Sequence, residues 1–134
     1  MAVKRISPAE ANALLGEGYT YLDVRSVPEY GAGHPKGAAN APLMHMGPGG
    51  MTPNPEFAAV VQKAFPKDAR LVVGCKAGGR SQKAAMLLEA AGYTNLVEMR
   101  GGWSGEGSEK GWEACGLPQE KVTAGGSWDE IKSK

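Results

Sequence analysis

The stretch VVGCKAGGRS, residues 72–81, decides the fold. It predicts the end of a buried strand over residues 69–74, then a cysteine, a glycine-bearing loop, and a helix over residues 81–91. A strand, a short loop and a helix in this order form the repeating unit of an α/β domain. In such domains ligands bind beyond the carboxyl ends of the strands, so we expect Cys75 at the ligand-binding edge of a sheet.

The rest of the chain extends this pattern of alternating strands and helices. Further strands are predicted over residues 3–6, 19–24 and 96–99, because these runs are rich in apolar and β-branched side chains. A helix is predicted after Ser7, which with Glu10 can form a capping box, and another after Asn54. The order predicts an α/β domain with a mostly parallel sheet and helices on both faces.

Size and charge limit the possible functions. The chain has 134 residues, a hydrophobic fraction of 42% and a net charge of +1, which fits one domain that binds no nucleic acid. No apolar run is long enough to span a membrane, and the first six residues lack a signal-peptide core, so we expect a cytoplasmic location. We expect the domain to occupy residues 1–120, with a polar tail over residues 121–134 that packs little and leaves Trp128 exposed.

The loop after the strand has the composition of an anion site. Gly78 and Gly79 allow the backbone to turn successive N–H groups inward, and the following helix adds its positive N-terminal end. Lys76 and Arg80 add charge, so the loop favours a thiolate or persulfide at Cys75 and an incoming oxyanion such as thiosulfate. The amides of residues 76–80, Ala77 included, would form the cradle. Two alternatives are an inert buried cysteine and a loop that binds phosphate without covalent chemistry.

Spacing favours sulfur chemistry over phosphate chemistry. Four residues separate Cys75 from Arg80, whereas the loop of a cysteine phosphatase has one more residue there and a histidine where this chain has Gly74. The smaller cradle suits a single sulfur atom. Ser81 is expected to cap the helix, and its hydroxyl could also donate to the persulfide.

A second charged group follows the strand at residues 19–24. Asp23 either tunes the charge of the pocket or has a structural role. Arg25 and Glu29 are expected to form an ion pair that fixes the turn, while Arg80 either contacts substrate or bridges the loop to a carboxylate. The second cysteine, Cys115, is expected to pack against its neighbours, with formation of a disulfide that resolves the persulfide as the alternative.

Several motifs together give the chain a resemblance to the rhodanese family, in particular to its single-domain thiosulfate sulfurtransferases. They span roughly residues 4–118. They are Leu22-Asp23-Val24-Arg25, Glu29-Tyr30, Gly33-His34, Gly37-Ala38, Asn40, Pro42, MTPNPEF at residues 51–57, the loop at residues 75–81, Gly101-Gly102-Trp103 and Gly116-Leu117-Pro118.

The resemblance implies a three-layer domain with a five-stranded, mostly parallel sheet. It also implies an enzyme that moves the outer sulfur of thiosulfate, or a similar donor, to Cys75 and then to cyanide, glutathione or a thioredoxin-like protein. No metal or organic cofactor is implied. A persulfide carrier with little turnover is the alternative function. Residues 44–55 are expected to be a loop that lines the acceptor side, and residues 105–111 an insertion that breaks or shifts a helical segment after Trp103.

Overall fold

A computed structural model describes residues 3–134 of the chain. Within this range the chain folds into five helices and nine strands. The helices are α1 Pro8–Leu15, α2 Val27–Ala32, α3 Phe57–Ala64, α4 Gly79–Ala90 and α5 Trp128–Lys132. The strands are β1 Lys4–Ile6, β2 Thr20–Asp23, β3 His34–Pro35, β4 Ala39–Asn40, β5 Met44–Gly47, β6 Gly50–Pro53, β7 Arg70–Gly74, β8 Asn95–Met99 and β9 Gln119–Glu120.

Five of the strands form one parallel sheet in the order β1-β8-β7-β2-β4. The strand that precedes Cys75, β7, therefore lies at the centre, between β2 and β8. Its residues 71–74 are buried, as expected for a strand covered on both faces. The predicted α/β fold with a five-stranded parallel sheet is confirmed.

Alternate side chains of the central strands pack into two separate hydrophobic cores, one on each face of the sheet. Leu71 and Val73 pack on one face, in a cluster that includes residues of α3, α4 and α5. Val72 packs on the other face, together with Ala11 of α1 and Trp112. The sheet is therefore the middle of three layers. No helix within residues 3–134 has the length and apolar content needed to cross a membrane.

The C-terminal segment packs more closely than its composition suggests. Trp128 is 5% exposed and Ile131 is 1% exposed, and both belong to the α3–α4 side of the core. Gly126 O accepts a hydrogen bond of 2.7 Å from the amide of Asn40 in edge strand β4, so the segment covers that edge. The expectation of a loosely packed tail with an exposed Trp128 is wrong, because two apolar side chains at helical spacing are enough to dock a short helix. The domain boundary at residue 120 stays a prediction.

Two other local predictions are also wrong. Residues 44–53 form a hairpin of β5 and β6 that turns at Pro48 and Gly49, although their glycines and prolines predicted a loop. The stretch after Trp103 forms turns and not a helix. Glycines at residues 101, 102, 105, 107 and 116 adopt positive φ angles, which an α-helix does not contain.

Candidate active site

Cys75 lies directly after β7, at the carboxyl edge of the sheet where the sequence places it. The residue is 2% exposed and contacts the core, yet its sulfur is not surrounded by apolar groups alone. The amide of Gly78 donates a hydrogen bond of 3.0 Å to Cys75 Sγ. A backbone donor aimed at the sulfur stabilises negative charge there.

The carbonyl groups of the loop are held away from the sulfur by the turn at residues 101–104. Trp103 N donates to Cys75 O at 2.8 Å and Ser104 N donates to Lys76 O at 2.9 Å. Gly102 makes this approach possible: a β-carbon there would lie 2.5 Å from both carbonyl oxygens. The Gly-Gly-Trp motif thus orients the peptide groups of the Cys75 loop.

The other amides of the Cys75 loop lie at the start of α4. Gly78 has φ +95° and is the N-cap of α4, which begins at the next residue. The first N–H groups of a helix have no partner within the helix. Among the residues that the structure describes, the amides of Lys76, Ala77, Gly79 and Arg80 donate to no oxygen of the protein. The side chain of Lys76 is solvent-exposed and adds a positive charge at the rim.

Ser81 lies inside the helix and not at its cap, so that prediction is wrong. The helix starts two residues earlier than predicted, with Gly78 as its N-cap. Ser81 is fully buried, and its Oγ lies 3.3 Å from Cys75 Sγ. The same hydroxyl also contacts the carboxylate of Glu98 on β8. Ser81 therefore links the sulfur to a buried carboxylate.

Arg80 bridges the loop to a carboxylate, as one of the two predicted roles requires. Its two terminal nitrogens bind the two oxygens of Glu29 at 2.7 and 3.0 Å. Burial alone raises the pKa of Glu29, but the hydrogen bonds from Arg80 and Ser26 outweigh this effect and lower the pKa to about 2. The Arg80 guanidinium also lies 3.7 Å from Met51 Sδ, so hairpin β5–β6 reaches the rim of the site.

The predicted pair of Arg25 with Glu29 is wrong, because Arg25 pairs with Asp23 instead. Arg25 Nη2 donates to Asp23 Oδ2 at 2.7 Å and to Gly33 O at 2.6 Å, and both side chains are almost fully buried. Its guanidinium also lies 4.9 Å from the centre of the Trp103 ring. The contacts place Asp23 and Arg25 in the frame that holds the Gly-Gly-Trp turn.

Sequence reasoning missed Glu98, which is 1% exposed. Its Oε2 contacts Ser81, and its Oε1 accepts a hydrogen bond from Arg5 of β1. The available signal was an acidic residue between apolar neighbours in the predicted strand at residues 96–99. A charged side chain at such a position has to find partners, which implies a polar site.

Cys115 does not have the packing role expected of it. It is exposed, and the nearest polar contact of its sulfur is Lys110 O at 3.8 Å. Both cysteines are free thiols.

Comparison with known proteins places the chain in a family. The family model described as Rhodanese-like domain matches residues 7–108. The chain belongs to the rhodanese family. The rhodanese chain is 41% identical over 113 residues to Thiosulfate sulfurtransferase 16, chloroplastic, of Arabidopsis thaliana, and the match covers 84% of this chain and 89% of that relative. Membership of this family supports a sulfurtransferase role.

Two further comparisons extend this result. Protein HIGH ARSENIC CONTENT 1, mitochondrial, of Arabidopsis thaliana is 36% identical over 102 residues, which cover 76% of this rhodanese and 60% of that relative. The crystal structure of Rv0390 from M. tuberculosis superposes with a TM-score of 0.77 at 24% identity, covering 91% of this chain and all of that one. This structural match supports the fold.

The relatives contradict the predicted cytoplasmic location. One similar protein is named chloroplastic and another mitochondrial, so the similarity does not support a cytoplasmic location. The prediction rested on the lack of a signal-peptide core in the first six residues, and that feature does not exclude other kinds of targeting.

Proposed function

We propose that the protein is a thiosulfate sulfurtransferase in which Cys75 carries the sulfur. In the first step the Cys75 thiolate attacks the outer sulfur of thiosulfate. The bond between the two sulfurs of thiosulfate breaks, its electron pair leaves with sulfite, and a new S–S bond forms on Cys75. The enzyme then holds a persulfide anion.

The second step returns the enzyme to its starting state. A nucleophilic acceptor, which is a thiolate such as glutathione or a thioredoxin-like protein, or cyanide, attacks the outer sulfur. The S–S bond to Cys75 breaks and its electron pair returns to the cysteine as a thiolate. The product is an acceptor persulfide or thiocyanate, and neither step needs a metal or an organic cofactor.

The observation that carries this proposal is the donor environment of Cys75. The Gly78 amide lies 3.0 Å from the sulfur, and the amides of residues 76, 77, 79 and 80 make no bond to the described protein. These groups and the N-terminal end of α4 would surround an outer sulfur one bond beyond Sγ. The negative charge of a persulfide would be stabilised by backbone dipoles that are already in place.

The charged side chains are assigned distinct roles in this proposal. Lys76, at the exposed rim, attracts the dianionic donor, and Arg80 adds positive charge while Glu29 holds its guanidinium in one orientation. Asp23 and Arg25 support the turn that engages the loop carbonyls. Ser81 donates its hydroxyl to the sulfur anion in the charged state of the site.

Mass spectrometry of the intact protein after incubation with thiosulfate tests the proposal. We expect the wild type to gain one sulfur atom, located on the peptide that contains Cys75, and to lose it when glutathione or cyanide is added. Cys75→Ser should gain none, and the matched Cys115→Ser variant should load like the wild type. A wild type that takes up no sulfur from thiosulfate would contradict the donor assignment.

The same assay separates an enzyme from a persulfide carrier. A carrier would load slowly from thiosulfate but quickly from the persulfide of a second protein, again at Cys75. If loading from thiosulfate and discharge to glutathione or cyanide proceed at comparable single-turnover rates, the protein is an enzyme. Hydrolysis of an aryl phosphate that depends on Cys75 would instead revive the phosphatase alternative.

A further inference from the structure

Behind the Cys75 loop, a buried hydrogen-bonded chain connects the sulfur to a carboxylate. Cys75 Sγ lies 3.3 Å from Ser81 Oγ, and Ser81 Oγ contacts Glu98 Oε2. The three residues are 2%, 0% and 1% exposed, so the chain lies almost entirely inside the protein. In a buried chain of this kind the protonation state of one end depends on that of the other.

The two oxygens of Glu98 have different partners. Oε1 accepts a hydrogen bond from Arg5, which is the neighbour of Glu98 in the register of β1 with β8. The hydrogen-bond partner of Oε2 among residues 3–134 is Ser81. A proton can therefore bind Oε2 without breaking the bond to Arg5, and Arg5 fixes the carboxylate in the orientation that Ser81 needs.

We propose that Glu98 is a positioning residue that exchanges a proton with Cys75 through Ser81. The thiol proton moves to Ser81 Oγ while the hydroxyl proton of Ser81 moves to Glu98 Oε2. The S–H bond and one O–H bond break, two O–H bonds form, and no electrons are gained or lost. The negative charge moves from the carboxylate to the sulfur, where the loop amides stabilise it.

Glu98 also borders a cavity through which its proton can reach solvent. This cavity, of about 540 Å³, lies between β1 and α4 and is lined by Arg5, Gln82, Met86, Glu89 and Glu98 among others. Gln82 and Met86 are exposed, so the cavity is open to water. Exchange of the Glu98 proton with water would proceed through this cavity.

Other charged groups lie around Cys75 and Glu98 and contribute to the electrostatic potential at both. On the Glu98 side these are Arg5 and Glu106, which share an ion pair, and Glu89, which lines the same cavity. On the sulfur side burial raises the pKa of Tyr21 well above its ordinary value, so this phenol stays neutral. The charged groups on the sulfur side are Lys76, Arg80, Asp23, Arg25 and Glu29. Within residues 3–134, Glu98 is the one titratable group besides Cys75 whose side chain forms a hydrogen bond with Ser81, so the proposed exchange runs between these two groups.

The dependence of Cys75 alkylation on pH tests the inference. All proteins carry Cys115→Ser, and the rate of modification by iodoacetamide is measured by intact mass from acid to alkaline pH. The parent should show two resolved steps, because one proton is shared between thiol and carboxylate. Glu98→Gln and Ser81→Ala should each show a single step and a rate on the acid side about tenfold lower, the loss that corresponds to one pH unit.

Glu89→Gln is the matched control, since it removes a carboxylate from the same cavity without any contact to Ser81; it should keep both steps. A parent with one step, or a Glu98→Gln variant that reacts faster than the parent near neutral pH, would overturn the inference, because charge repulsion alone then governs Cys75. If Glu98→Gln does not fold, Ser81→Ala decides. The inference rests on the proposed function, but alkylation needs no sulfur transfer, so failure of loading and failure of the two-step profile are separate results.

Discussion

The two cysteines lie in loops that place opposite kinds of hydrogen-bonding group next to the sulfur. Cys75 is buried at the end of β7 and accepts a backbone N–H at 3.0 Å, while Cys115 is exposed in a turn with a carbonyl oxygen as its nearest polar neighbour. Donors stabilise a sulfur anion and acceptors do not. If Cys75 carries the sulfur as proposed, the orientation of the neighbouring peptide groups, more than exposure, distinguishes the reactive sulfur from the other one.

The two loops also differ in how they are held. The carbonyls of Cys75 and Lys76 are bound by the turn at residues 101–104, and Arg80 is bound by Glu29. The loop of Cys115 is closed by local bonds, such as Cys115 N to Gly111 O at 3.1 Å and Gly116 N to Glu113 O at 3.1 Å. Each loop nevertheless contains a glycine at positive φ and lies near an Arg–Glu pair, so matched substitutions can be made in both.

The largest effect should come from the glycines. In Gly78→Ala a β-carbon would lie 2.3 Å from Glu106 Oε1 and the residue would have to keep a φ of +95°, which side chains other than glycine rarely adopt. We expect the loop to relieve this strain by shifting, so that the Gly78 amide loses its contact with the sulfur. We expect sulfur transfer from thiosulfate to fall by about 10²–10³, as when an oxyanion donor is removed. Steady-state kinetics of the variant measure this loss.

Gly116→Ala is the control for this prediction. Gly116 has φ +68° with open space around it, so the substitution should cost about 1–2 kcal/mol of unfolding free energy and leave transfer intact. Equal losses of transfer in the two variants would contradict the assigned role of the Cys75 loop.

The next effect should come from the arginines. Arg80→Lys replaces a two-point contact with Glu29 by a single point charge, and we expect about a tenfold loss in kcat/KM for thiosulfate, which corresponds to about 1.4 kcal/mol. Arg100→Lys makes the same change in a half-buried pair with Glu109 near the other loop. There the kinetics should not change, and unfolding free energy should change by less than about 1 kcal/mol.

A smaller effect concerns acid stability. The pKa of Glu29 falls from 4.5 to about 2 in the folded protein, so its contribution to stability is fully present above pH 4.5 and is lost as the pH falls through 2. Denaturation as a function of pH should show a shallower acid decline for Glu29→Gln than for the wild type. Glu113→Gln changes an exposed residue beside Cys115 and should keep the wild-type dependence of stability on pH. If Glu29→Gln also keeps the wild-type dependence, the ion pair between Glu29 and Arg80 does not form in solution.

The smallest effect is expected at the exposed cysteine itself. Cys115→Ser should change the unfolding free energy by no more than about 0.5 kcal/mol, because the side chain fills no cavity and has no strong partner. Denaturant titration measures this value. A loss of several kcal/mol would show that the Cys115 loop is less independent of the core than its contacts indicate.

The features that sequence predicted correctly are local ones. A strand, Cys75, two glycines and a helix follow each other directly, so their order alone places the cysteine at the carboxyl edge of the sheet. The pairing of Arg80 with a carboxylate was also one of the predicted possibilities. Local order cannot choose between partners far apart in the chain, and so Glu29 was assigned to Arg25 although Arg80 binds it 51 residues away.

The missed features depend on the same kind of distant contact. Glu98 joins Ser81 and Arg5 only after β1, β7 and β8 are side by side. Trp128 is buried only because α5 meets α3 and β4, which its polar neighbours in sequence do not reveal. Hairpin β5–β6 forms where the glycines and prolines predicted a loop. Two strands can pair when a short turn joins them, even if their side chains do not alternate between apolar and polar.

A crystal structure of the protein treated with thiosulfate tests the central claim most directly. We expect an additional sulfur atom bonded to Cys75 Sγ, within hydrogen-bond distance of several N–H groups of residues 76–80. An unmodified Cys75, or an added sulfur that points away from these amides, would contradict the account.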